Sequence, residues 1–196
     1  MGRESVAVCD ETIRPALRAR LLRKHGREVG TVLIEELGLC RGRVRVDLAV
    51  VNGSLHGFEI KSDRDSLSRL PTQVEVYGKV LDRATLVVGD RFLPVAASLV
   101  PSWWGIVHVS ARHRGLVFKS VRRAVQNPRR DPRLLVELLW AAQALELLEQ
   151  RDVARGVRGK PRRYLWDRVC EHFSVNEIAA VVRNRLKARA VLPDSA

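Results

Sequence analysis

Asp47, Glu59 and Lys61 are the residues whose types and spacing point most directly to chemistry. Two carboxylates and an ammonium on one patch can hold a divalent cation against a phosphate and offset the charge that grows on it during cleavage. Mg²⁺ prefers carboxylate and phosphate oxygens, so Asp47 and Glu59 are its candidate ligands, with the main-chain carbonyl of Ile60 as a third. Mn²⁺ would serve in its place. Lys61 would orient the attacking water or stabilise the transition state. The plainer reading is a solvated strand face carrying one cross-strand ion pair.

A hairpin must bring these groups together. Val44, Val46, Leu48 and Val50 alternate with Arg43, Arg45, Asp47 and Ala49, and Asn52-Gly53 is a strong turn signal before Leu55–Lys61. Residues directly opposed in an antiparallel pair share a face, so parity demands a loop with an odd number of residues. A three-residue loop, Asn52-Gly53-Ser54, sets Asp47 opposite Glu59. Lys61 then returns to the same face, while Phe58 and Ile60 turn the other way with Val46 and Leu48.

Downstream, Pro71 suits a first helical turn, and Gln73 and Tyr77, four apart, stack on one helix face. A hairpin, a crossover helix and the apolar run Ala84–Val88 read as an α/β core. With F-E-I-K at 58–61 and Q-V-E-V-Y at 73–77, the sequence resembles the PD-(D/E)xK nuclease superfamily and its RecB-type Q-x-x-x-Y helix. The run V-L-I-E-E-L-G-L-C-R-G-R-V-R-V-D is similar to MmcB-like DNA repair proteins. Residues 36 to 89 also resemble an uncharacterised bacterial family named only after a locus tag. The resemblance implies a restriction-endonuclease-like core with a mixed central sheet flanked by helices, and a Mg²⁺-dependent deoxyribonuclease acting in repair, recombination or defence. It implies Asp47 and Glu59 as metal ligands, Lys61 as catalytic cation, Glu36 as a third carboxylate in preference to Glu35, and Gln73 and Tyr77 in support. The residue before Asp47 is Val46, where the superfamily's name has proline. A second reading is a non-catalytic DNA-binding or adaptor protein, and a third is cleavage that needs a partner protein.

Composition agrees with a nucleic-acid partner. The chain holds 35 Lys+Arg against 22 Asp+Glu, a formal charge of +13, which favours polyanions through counterion release. Residues 111–196 carry 19 basic and 9 acidic residues, and residues 1–110 carry 16 and 13. The excess therefore lies mostly in the C-terminal part, although an arginine-rich proteome would account for some of it. DNA is favoured over RNA by the resemblance alone. The 196 residues fit a nuclease-like core over 1–127 and a basic helical region over 128–196. Cys9, Cys40 and Cys170 form no C-x-x-C pair, so neither a disulfide framework nor a zinc site is indicated. A reducing cytoplasm is expected, with no membrane association: no cleavable leader stands at the start, and no apolar run approaches the roughly 18 residues of a span.

Further elements complete the expected map. Asp10 or Thr12 would cap a first helix running to His25, with Ile13, Leu17 and Leu21 on its buried stripe. Glu11 is a minor catalytic candidate better suited to the helix dipole. None of His25, His56, His108, His113 and His172 shows metal-ligand spacing, and parity puts His56 with Phe58, away from Glu59. Trp103 and Trp104 suit a core lid or a base-stacking site. No phosphate-binding G-x-x-x-x-G-K-[ST] loop is present. Asp131 and Pro132 open a helical stretch on which Leu134, Leu138, Ala141, Leu145 and Leu148 keep helical spacing. Leu165, Val169 and Phe173 mark the next helix. Ser174 with Glu177 is a capping box for the last, which buries Ile178, Val182 and Leu186 and leaves Arg183, Arg185, Lys187 and Arg189 mostly outside. These last two helices fit either a DNA-reading unit or a buttress for the core.

Overall fold

The hairpin forms with the expected loop. In a computed structural model that describes residues 8–26, 28–113 and 115–191, Val51 pairs with Leu55 across Asn52-Gly53-Ser54. The Asn52 side chain closes the turn by accepting from the Ser54 amide at 3.0 Å. The flanking strands are β2 (Val44–Val51) and β3 (Leu55–Lys61). Strand β1 (Val32–Leu39) pairs antiparallel with β2. Helix α2 (Leu70–Val80), with Pro71 in its first turn, crosses over to β4 (Arg83–Val88), which runs parallel to β3. The short α3 (Ala96–Leu99) leads to β5 (Gly105–Arg112), parallel to β4, and β6 (Gly115–Arg122) closes the sheet antiparallel to β5. The result is a six-stranded mixed sheet in the order β1-β2-β3-β4-β5-β6, flanked by helices, an α/β fold of the expected class.

Two apolar clusters sandwich the sheet. Helix α1 (Asp10–His25) lays Ile13, Leu17 and Leu21 on one face against Leu48, Val50, Phe58, Ile60 and Val87. The other, larger cluster joins α2 and the sheet to α4 (Pro132–Val136), α5 (Ala141–Gln150), α6 (Arg162–His172) and α7 (Val175–Val191). Trp104 is fully buried there and stacks on Tyr77, and Trp103 is also buried, so both serve as a core lid. Among the described residues no helix is long and apolar enough to cross a membrane.

Four expectations need correction. Strict alternation along β2 fails at Asp47: Leu48 and Val50 join the α1 side with Phe58 and Ile60, but Val46 and Val44 join the α2 side. The break faces Glu36, a non-glycine residue at φ 53°, whose left-handed backbone swings the pleat over. The N-cap of α1 is Cys9 rather than Asp10 or Thr12, and the Thr12 hydroxyl donates to the Cys9 carbonyl. The apolar spacing over 134–148 spans two helices, because residues 137–140 interrupt it and Gln143 folds back to accept from the Trp140 amide. Arg183 turns inward. Its Nη1 lies 2.9 Å from Oδ2 of Asp82, a buried carboxylate that also pairs with Arg130 and accepts from the Leu55 amide. The Ser174–Glu177 capping box opens α7 as expected, with Glu177 accepting from the Ser174 amide at 2.8 Å.

Candidate functional site

Neighbouring strands and two helices meet at a cleft of about 540 Å³ lined by Asp10, Arg14, Glu36, Asp47, Glu59, Ile60, Lys61 and Gln73. Arg43, Arg45 and Arg69 form part of its wall. The expected residues Glu36, Asp47, Glu59, Ile60, Lys61 and Gln73 thus come together there, and Tyr77 reaches in behind them. Glu35 pairs instead with Arg18 at 2.7 Å. Glu11 is exposed and lines no part of the cleft.

Glu59 is the buried centre, at 1% exposure. Period-2 alternation on β3 puts Lys61 beside it, and its Oε1 accepts from Lys61 Nζ at 2.6 Å. The one-turn spacing on α2 brings two more donors: Gln73 Nε2 at 2.6 Å to Oε1 and the Tyr77 hydroxyl at 2.5 Å to Oε2. Burial, then the nearby Asp47, raise the Glu59 pKa, with Lys61 and Tyr77 pulling against them. Burial and the Glu59 carboxylate push the Tyr77 phenol far above its ordinary value, so it stays a donor. Gln73 Oε1 is buried without a partner among the described residues.

Asp47 sits where the β2–β3 pairing runs out. Its Oδ2 accepts from the Ile60 amide at 2.7 Å, and its Oδ1 from Arg14 Nη2 at 2.8 Å. Arg14 was missed by sequence reasoning. Its guanidinium also lies 2.6 Å from Glu36 and 3.1 Å from Asp10, so one α1 side chain bridges three carboxylates. Burial opposes the charged form of Arg14, but Asp47 and Asp10 outweigh it and raise its pKa. Burial likewise raises the Asp47 carboxyl, countered by the Ile60 amide and Arg14. The available signal was the Asp10/Arg14 spacing of four on a helix facing an acid-rich hairpin.

Protein donors here compete with a divalent cation for the carboxylate oxygens. Every carboxylate oxygen of Asp47 and Glu59 already accepts a hydrogen bond from a protein donor. Arg14 supplies part of the positive counter-charge that a metal would otherwise bring to Asp10, Glu36 and Asp47. Among the described residues no group of three or more His, Cys, Asp or Glu is placed to hold a metal ion. The chemistry on offer is therefore an acidic floor engaged by protein donors beneath cationic walls. Arg43 and Arg69 are exposed and have no carboxylate within ion-pair reach among the described residues, and Arg45 lies 3.6 Å from Glu36.

Comparison with known proteins corrects the expected family. The model for bacteriophage P4 protein cII matches residues 7–191. Protein cII of Enterobacteria phage P4 is 27% identical over 168 residues, covering 86% of this chain and 63% of its own length. The chain thus spans less than two thirds of that relative. No solved structure matches significantly. These matches overturn the assignment to the PD-(D/E)xK nucleases and, with it, the expected deoxyribonuclease or other hydrolase activity and the inferred role in repair, recombination or defence. The physical reason is that a short Asp…Glu-x-Lys spacing with a Gln/Tyr helix serves equally well to build a buried hydrogen-bond node, and here protein donors reach both oxygens of Glu59. The chain belongs to the bacteriophage P4 protein cII family.

Proposed function

We propose that this chain binds nucleic acid, with DNA favoured, and that the cleft grips the sugar-phosphate backbone without cutting it. The observation that carries the reading is the pair of exposed arginines, Arg43 and Arg69, on the cleft wall without carboxylate partners among the described residues, above acids that Arg14 and Lys61 already engage. A phosphate entering there meets free guanidinium forks, and the buried acids beneath are screened by their own donors. The formal charge of +13 adds long-range attraction for a polyanion. Fluorescence anisotropy with a labelled DNA tests the proposal, comparing the wild type with the Arg43→Ala/Arg69→Ala double variant. Weaker binding by the variant, with its fold intact by circular dichroism, supports it. Equal affinity for both proteins refutes it.

A further inference from the structure

A second groove lies on the other side of the β1–β2 turn and shares no lining residue with the cleft. Its volume is about 470 Å³, and Arg41, Trp140, Arg162, Trp166 and Arg189 line it. The size falls within the roughly 300–1,000 Å³ of small-ligand sites. Trp140 is unusual among the four tryptophans: it is 60% exposed, whereas Trp103, Trp104 and Trp166 are buried. It is also held in place. Its amide donates to Gln143 at 3.0 Å, and the Arg189 guanidinium stands 4.1 Å from its ring centroid.

The groove gathers positive charge around these indoles. Arg41 and Arg162 lie 5.5 and 5.1 Å from the Trp166 ring centroid. Arg41 shares Glu137 at 3.1 Å, but Arg162 and Arg189 have no carboxylate within ion-pair reach among the described residues. Arg189 spends two donors on Leu138 and Gln143, and its Nε is buried with no partner among the described residues. The turn that presents Arg41 is built at a cost, since Cys40 and Arg41 both hold positive φ, at 49° and 60°, ahead of Gly42. A flat exposed aromatic face beside two guanidiniums, of Arg162 and Arg189, that no carboxylate pairs among the described residues suits a ligand that is both planar and anionic.

We infer that this groove takes one nucleotide of single-stranded DNA, its base stacked on Trp140 and its phosphate held by Arg162 and Arg189. A duplex hides its base faces in the stack, so it offers Trp140 nothing to stack on, whereas every unpaired base does. The inference goes beyond the cleft reading and stands or falls without it, because its residues are separate.

The test is titration of the protein with a deoxythymidine 20-mer and with a 20-base-pair duplex, read by intrinsic tryptophan fluorescence and by anisotropy of the labelled oligonucleotides. Trp140 is the exposed tryptophan, so stacking on it should quench a distinct share of the emission with the single strand and not with the duplex. Trp140→Ala should abolish that quench and weaken single-strand binding about tenfold or more, and Trp140→Phe should restore most of the affinity. Arg162→Ala, at an exposed position, should weaken binding without altering the unfolding midpoint. No quench by the 20-mer, equal quench by the duplex, or unchanged single-strand affinity in both Trp140→Ala and Arg162→Ala would overturn the inference. Loss of DNA affinity in Arg43→Ala/Arg69→Ala bears only on the cleft.

Discussion

Lys61→Ala tests whether the buried node is a structural device. Lys61 and Glu59 are both almost wholly buried, with Nζ and Oε1 2.6 Å apart. Removing the ammonium strands a carboxylate that keeps only Gln73 and Tyr77 as donors. Breaking one side of a buried pair costs about 3–5 kcal/mol, a large part of the ~5–15 kcal/mol that holds a domain folded. With a urea slope of roughly 2–3 kcal/mol/M, the midpoint should fall by about 1–2 M. The double variant Glu59→Gln/Lys61→Met removes both charges at similar volume and should recover more than half of that loss. The sign with pH follows from the Glu59 pKa, already raised above its ordinary 4.5. Protonation relieves the stranded carboxylate, so the defect in Lys61→Ala should shrink as pH falls towards 4.5 and be complete at pH 8. The assay is urea unfolding followed by circular dichroism at both pH values. A midpoint for Lys61→Ala within about 0.3 M of wild type at pH 8, several-fold below the worked shift, would refute the reasoning.

Other perturbations reach the core around the site. His56 is half-buried, stacks on Phe58 at 4.3 Å and bonds Thr85 at 2.8 Å, and desolvation lowers its pKa to about 3. The unfolded chain takes up that proton from about pH 6.5 downward, so the fold should lose about 2 kcal/mol by pH 5 through this group. Urea midpoints at pH 7 and 5 should show this loss in the wild type and not in His56→Phe. In Gly57→Ala the new methyl would stand 2.5 Å from Leu81 Cδ1 and 3.0 Å from Val46 Cγ1, so the variant should lose about 1–3 kcal/mol in thermal unfolding. Asp82→Asn leaves Arg130 and Arg183 facing a neutral group and should cost about 3–5 kcal/mol. Limited proteolysis should then cut earlier near α7, and an unchanged cleavage rate would count against the tie between Asp82 and that helix.

The hairpin was legible because Asn52-Gly53-Ser54 and its flanking β-branched residues settle a register locally. The same holds for the Ser174–Glu177 box and for the Ile13, Leu17, Leu21 stripe. What escaped depends on groups distant in sequence. Nothing near Glu36 signals its left-handed backbone, so the swing of the pleat at Asp47 was invisible. Arg14 drew no reading because the hairpin acids it meets lie 22 and 33 residues away, and Arg183 looked exterior until Asp82 lay beneath it. Convergence of Asp47, Glu59, Lys61, Gln73 and Tyr77 was read correctly as proximity, yet proximity does not decide between a reaction centre and a saturated node. That difference rests on where Arg14 and the other donors sit, which periodicity does not encode.

The salt dependence of DNA affinity tests the central claim most directly. If Arg43 and Arg69 each neutralise one phosphate, a plot of log affinity against log salt should be steep and negative for the wild type. It should be shallower by about two in the Arg43→Ala/Arg69→Ala variant. Absence of salt-dependent binding by the wild type, or the same slope in both proteins, would contradict the account.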